Sequence, residues 1–466
     1  MRALVIYLLF AFIGASPSSL AAQNADWQQY ADASDAGFSI EGLTEAHRYA
    51  DSVRSAAVMV VHRGRVVAAW GDVNRELGLH SIRKSLVSGL YGIAVSQGKI
   101  DLDATLGDLG IDDRQPLTPA EKSAKVRDII SARSGVYLPA AYAGSDLDAD
   151  RPARGAFAPG THFFYNNWDF NIAGVIYEKR TGEKLYESFY KRIAQPIGMQ
   201  DFTPADGFEV LEPSGSQHPA HTFRMSTRDL ARFGQLYLQK GKWNGKQVIP
   251  EAWIAESTKS RSEVGPAGQG YAYMWWTYPR NPAAPRWPLM SRSDVYQARG
   301  TGGQVMYVIP AEEMVIVLRG DTDNGRNVGG AASWSIAERI MQAKKSDAAA
   351  SPRLVAVSPI PFKSQAPARP EPKYVTLSRS ELMKFVGEYV MEADSIARVT
   401  MLDGRLFAYL PGEGEAELFA VGPNEFTLRV LRGVNAKFEM NQSGSVSGLT
   451  VQLGPRIYRG AKRSGS

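Results

Sequence analysis

The chain has 466 residues, 44% of them hydrophobic, with Lys+Arg 53 against Asp+Glu 48 for a net charge of +5. That leaves room for two or three domains with real cores and excludes a wholly disordered or fibrous chain. The basic residues are scattered, which removes compositional support for nucleic-acid binding, and the lack of cysteine excludes disulfides, thiolate metal sites and a cysteine nucleophile.

In chain order, Arg2, the apolar run Ala3 to Ile13 and the small residues ending Ser19-Leu20-Ala21-Ala22 read as a secretory signal. Eleven apolar residues are too few to cross roughly 30 Å of hydrocarbon at about 1.5 Å each. Cleavage near Ala21 or Ala22, removing residues 1–22, is expected to give a secreted or periplasmic protein with no stable membrane anchor. Residues 26–345 follow as one mixed unit. The apolar runs Ala57 to His62 and Arg65 to Trp70, around Arg63-Gly64, predict a hairpin buried on both faces. Ser81 to Gln97 predicts an amphipathic helix with Leu86, Leu90, Ile93 and Ala94 on one face. The stretch 120–260 reads as mostly helical, with helices over Asn171 to Lys179 and Ser226 to Gln239. Gln304 to Ile309 and Met314 to Leu318 predict a second hairpin, followed by a helix over Ala331 to Ala343. Pairing the two hairpins in one antiparallel sheet, covered by the terminal helices, gives an α+β fold with a helical subdomain and a cleft between them.

Residues 346–374 carry Pro352, Pro359, Pro361, Pro367, Pro370 and Pro372 and read as a semi-rigid spacer with few contacts across it. Beyond it, Phe426 to Val430 and Leu449 to Leu453 alternate apolar with polar, and Asp403-Gly404 marks a tight hairpin. Residues 375–466 are therefore expected to form a small all-β domain, a barrel or curled sheet.

Nucleotide-loop, zincin and nucleophile-elbow signatures are absent. The closest histidine pair, His218 and His221, has no third ligand in view and reads as a polar loop. Ser-x-x-Lys, which sets a hydroxyl and an amine one helical turn apart, occurs as Ser81/Lys84, Ser96/Lys99 and Ser188/Lys191. Only Ser81 opens a long amphipathic helix directly after a loop, where helix-start amides can face a developing oxyanion. Tyr165-Asn166-Asn167 supplies a phenol for proton relay and an amide at Asn167 in the loop before another apolar helix. The run Ala298-Arg299-Gly300-Thr301-Gly302-Gly303-Gln304 leads into a strand, where glycines let a substrate lie close to the backbone.

These three elements in this order resemble the serine β-lactamase and penicillin-binding-protein superfamily. The likeness is to its class C-like branch of esterases, D-aminopeptidases and 6-aminohexanoate-dimer hydrolases. Val126 to Ile130 with Ser134-Gly135, Pro196 to Met199, Ser226 to Gly234 and Gly270 to Trp276 extend the resemblance over about residues 40–345. It implies Ser81 as nucleophile, Lys84 as its base, Tyr165 as proton-transfer partner and Asn167 as accessory group, with no metal or cofactor. Gly300, Thr301, Gly302 and Gly303 would line the oxyanion and substrate floor, and Tyr273, Trp275 and Trp276 an apolar wall. Where β-lactamases carry Lys-Thr-Gly this chain has Ala298-Arg299-Gly300, and a cation shifted by one strand position is expected to leave the cleft. The reading is an exported serine hydrolase acting on a small-molecule ester or amide, peptide-like substrates included. The alternatives are a D-peptidase or β-lactamase of the cell envelope, and a catalytically silent binding module with the same fold.

Overall fold

The two apolar hairpins meet at the centre of a ten-stranded sheet. Ser55–His62 pairs with Arg65–Gly71 on one side and with Met314–Gly320 on the other, and the latter continues into Gln304–Ile309. The computed structural model describes residues 26–143, 149–264, 268–279, 287–392, 395–454 and 456–463, so the secretory-signal reading lies outside the described residues. Tyr296–Gly300, Trp276–Thr277, Gln269–Tyr271 and Ser262–Val264 extend the sheet beyond the second hairpin, all antiparallel. At the other end Gln28–Tyr30 lies parallel to Arg65–Gly71, which makes the sheet mixed.

Because the central strands are buried on both faces, they read as continuous apolar runs. On one face Val58, Val60, Ile316 and Leu318 pack against Trp334, Ile336 and Ile340 of helix Gly330–Ala343, with helix Ile40–Ser52 alongside. On the other, Met59, Val61, Val315 and Val317 pack against Leu230, Phe233 and Leu236 of helix Thr227–Leu238. The helical subdomain beyond that face includes Asn167–Thr181 and Arg83–Ser96. The latter is buried from Arg83 through Ala94 and is therefore a central helix rather than the amphipathic one expected. Among the described residues no helix is long and apolar enough to cross a membrane.

The C-terminal domain is a closed barrel of eight antiparallel strands, from Gly387–Met391 to Arg456–Lys462. Asp403-Gly404 turns between Ile396–Leu402 and Arg405–Leu410 with both residues at positive φ, the two-residue hairpin expected of that dipeptide. Segment 346–374 departs from the spacer reading. Leu354–Ala356 pairs with Gln28–Tyr30 as the terminal strand of the large sheet, and Ile360 bridges to Trp70. Phe362 is 4% exposed within the second core, and Ser364 is bonded to Asp51. Prolines confine regular structure in this segment to one three-residue strand, but apolar residues between them such as Phe362 still gain from burial where a face is on offer.

Candidate active site

Three backbone devices bring the site together. Ser81 sits in a single 3₁₀ turn, His80–Ile82, directly before helix Arg83–Ser96, and His80 is held at φ 49°. A non-glycine residue rarely adopts that conformation, so the chain around it must impose the bend. His80 does so through both ring nitrogens: Tyr142 OH lies 2.6 Å from Nδ1 and Thr322 Oγ1 lies 3.1 Å from Nε2. The second device is the turn carrying Tyr165. Asn166 caps helix Asn167–Thr181 by accepting from Trp168 N–H and donates to Asp169, which also accepts from Ser134 Oγ at 2.6 Å. The third is the end of strand Tyr296–Gly300. A Cβ at Gly300 would stand 2.4 Å from Leu79 O and 3.1 Å from Ser81 N, so only glycine lets this strand end close against the turn.

The result is a contiguous polar triad. Lys84 Nζ lies 2.7 Å from Ser81 Oγ and 2.6 Å from Tyr165 OH. Lys84 is only 2% exposed, and burial, reinforced by the neighbouring Arg83 charge, holds its amine well below the ordinary lysine range. Burial raises the Tyr165 phenol, against the Ser81 hydrogen bond and the charges of Arg83 and Arg299. A hydroxyl within reach of an amine whose charged form burial disfavours is a hydroxyl that can lose its proton, and a phenol on the same amine can carry that proton onward. Desolvation likewise holds the His80 imidazole down at about 4, so it is neutral at pH 7 and its role is to hold the turn.

The other residues singled out divide. Asn167 and Thr301 line the same cavity as Ser81. Asn167 Nδ2 donates to the carbonyls of Tyr142 and Ala143 rather than to Lys84. Gly302 and Gly303 have φ of 79° and 86°, and the space a Cβ would need is taken by Thr322 and Val328; they make the turn and do not open a floor. Trp276 stacks on Tyr165 with ring centroids 5.4 Å apart. Tyr273 lies elsewhere, stacked on Trp253 beneath Arg261, and Trp275 is wholly buried against Phe233 and Tyr237. These two belong to the packing and not to a substrate wall. Arg299 does not line the cavity with Ser81; its guanidinium lies 3.9 Å over the Trp276 ring, which in turn stacks on Tyr165.

His80, Tyr142 and Thr322 were not picked out from the sequence. The adjacency of His80 to Ser81 was the one available signal, since Tyr142 and Thr322 come from distant segments. A group with metal-ligand character, Glu178, Glu209 and His221, supplies the third partner that His221 lacked in the sequence. Glu178 already accepts from Lys184 and from Leu185 N–H, and desolvation holds His221 at about 4.

Residues 40–332, more than half of the chain, match the Beta-lactamase family model, and the protein belongs to that family. A Bacillus anthracis structure named for the 6-aminohexanoate-dimer hydrolases superposes with a TM-score of 0.51 at 20% identity, over 69% of this chain and 87% of that one. A Bacteroides dorei structure named for the beta-lactamases gives 0.50 at 16% identity, over 66% and 100%. At such identities the likeness is one of fold. A D-aminopeptidase of Brucella anthropi is 34% identical over 95 residues, 17% of this chain; the match spans 18% of that relative's length.

Proposed function

We propose that the protein is a serine hydrolase that cleaves an ester or amide through an acyl-enzyme on Ser81. The observation that carries this reading is the pair of contacts made by Lys84 Nζ, 2.7 Å to Ser81 Oγ and 2.6 Å to Tyr165 OH, with Ser81 on a cavity wall. Lys84 takes the Ser81 proton as Oγ bonds to the carbonyl carbon. The amides of Ser81 and of Thr301, just past the strand end that abuts Ser81, hold the oxyanion. The proton passes through Tyr165 to the leaving oxygen or nitrogen as its bond to carbon breaks. Water then attacks the acyl-enzyme, gives one proton to the Lys84–Tyr165 pair and so returns one to Ser81 Oγ, releasing the acid. Asn167 braces the Tyr142–Ala143 loop over the site. Export follows from the leader-like residues 1–22, and N-terminal sequencing of the secreted or periplasmic protein checks it.

A fluorophosphonate probe, with the adduct located by peptide mass spectrometry, tests the assignment: modification is expected at Ser81, and labelling at Ser96 or Ser188 instead would sink it. A second reading, cleavage of a D-amino-acid amide, is favoured by the D-aminopeptidase stretch. Activity on D-alanine p-nitroanilide above that on p-nitrophenyl butyrate would select it. Nitrocefin is expected to be the poorest of the three substrates. Ala298 offers no cation to a lactam carboxylate, and Arg299 is committed to Trp276.

A further inference from the structure

The cavity holding Ser81 does not end at the catalytic domain. It has a volume of about 530 Å³, and its wall runs from Ser81, Tyr142 and Thr301 into the mouth of the C-terminal barrel. The barrel is docked in that position. Ser214 N–H donates to Glu415, and the Arg429 guanidinium lies 5.0 Å over the Phe208 ring and donates to Ala205 O.

Strand alternation makes the lumen apolar, and residue size leaves it hollow at one end. Eight strands enclose a space that side chains can just fill or that can hold one small ligand. At the far end it is filled by Phe385, Phe426, Phe438 and Tyr389, with Phe438 between 4.6 and 5.7 Å from each of the others by ring centroid. At the near end three inward positions are the small Ala408, Ala416 and Ala436, which line the cavity beside larger residues that include Leu418, Val451 and Leu453. The carboxylates around the mouth are tied down: Glu212 accepts from Tyr142 N–H, Glu413 from Arg456 and Tyr458, and Glu415 from Ser214. The space is thus a pocket with a reactive hydroxyl at one end, apolar walls and an aromatic stopper, and its size falls within the range of small-molecule sites.

We propose that this lumen is the subsite for an aliphatic acyl chain, so that the preferred substrates are esters or amides of medium- or long-chain acids. The proposal rests on the acyl-enzyme reading for which group enters the pocket. The acyl part stays bonded to Ser81 between the two half-reactions and can occupy a space closed at its far end, whereas the leaving group and the incoming water must exchange with solvent. Chain length is then read by burial, each methylene being worth roughly threefold to fourfold in affinity.

The test is kcat/KM on full-length protein for p-nitrophenyl acetate, butyrate, octanoate and decanoate, alongside variants that fill the lumen, Ala436→Phe and the milder Ala408→Leu. Octanoate or decanoate is expected to exceed butyrate by at least about tenfold. Ala436→Phe is expected to remove that advantage while acetate and butyrate stay within about twofold of wild type. A flat or falling profile with chain length, or a variant that lowers all four esters equally, overturns the proposal. A separate readout does not depend on catalysis: fluorescence of the neutral probe N-phenyl-1-naphthylamine with Ser81→Ala protein, displaced by decanol. Binding that is lost when Ala436→Phe or Ala408→Leu is added supports the lumen, and no binding overturns it. No hydrolysis of any ester with probe binding intact would reject the acyl-enzyme reading and leave the lumen as an aliphatic site.

Discussion

Ser81/Lys84 and Ser188/Lys191 carry the same spacing and have opposite fates. At Ser81 the lysine is inside, its amine within 2.7 Å of the serine and shared with Tyr165. At Ser188 the serine is inside and the lysine is not: Ser188 Oγ bonds to Glu183 and Tyr177, while the Lys191 side chain is 70% exposed beside Glu187. Ser188 lies in helix Leu185–Phe189 and Lys191 in the wider π-turn Tyr190–Ala194 that follows it, so this pair spans a change in winding. Ser96 is different again, its hydroxyl donating to Ile93 O while Lys99 pairs with Glu183. Spacing proposes a pair; of the three, only Ser81/Lys84 has its amine buried and bonded to a phenol from a distant loop.

The widest gap between these sites is expected in turnover. Ser81→Ala and Lys84→Ala should each lower kcat/KM by about 10⁴-fold or more, with Ser96→Ala and Ser188→Ala within about twofold of wild type. Retention of more than about a tenth of the activity in Ser81→Ala would break the comparison outright. Tyr165→Phe keeps the ring on Trp276 and removes only the hydroxyl, so kcat should fall by about 10²- to 10³-fold with KM nearly unchanged. The pH profile sharpens the contrast further. Lys84 must be neutral to accept a proton, so kcat/KM should decline as pH falls through its depressed pKa. Arg83→Met, which removes the nearby charge, should move that acidic limb to higher pH. An unmoved limb would assign it to another group. The smallest effect belongs to stability: Ser188→Ala should cost about 1 to 3 kcal/mol in urea unfolding, since it leaves Tyr177 and Glu183 short of a partner, with activity unaltered.

What could be read from the sequence was what is local. The central hairpins were visible because continuous apolar runs are long enough to register, and Asp403-Gly404 because its turn needs only two residues. Strands such as Gln269–Tyr271 and Trp276–Thr277 are too short to show alternation, so the sheet's outer half was hidden. Within the site, the Ser-x-x-Lys spacing and the Tyr-x-Asn turn are each carried on one short segment. The Tyr142–His80–Thr322 brace is not, since it joins segments 62 and 242 positions apart through side chains that have no pattern of their own. Tyr273 illustrates the converse, an aromatic that looked like a wall and is needed for packing under Arg261. The alternating run Leu449 to Leu453 lies within strand Val446–Leu453, but of Phe426 to Val430 only the first two residues are strand, and whether an interior is filled depends on how small and large side chains meet from eight strands at once.

The docked segment 346–374 bears on how the molecule keeps to itself. A sheet's outermost strand offers unpaired amides and carbonyls to any neighbour, and long, flat edges invite sticking. Here the large sheet ends on two strands of three residues, Ser262–Val264 and Leu354–Ala356, while the barrel, being closed, has no edge. A chain cut at Lys345 would lose Leu354–Ala356 and lay bare Gln28–Tyr30, with Phe362 gone from the core beside it. Such a chain would be apt to self-associate along that edge, so the proline-rich stretch serves as a selvedge: a finished border that keeps the fabric from joining another piece.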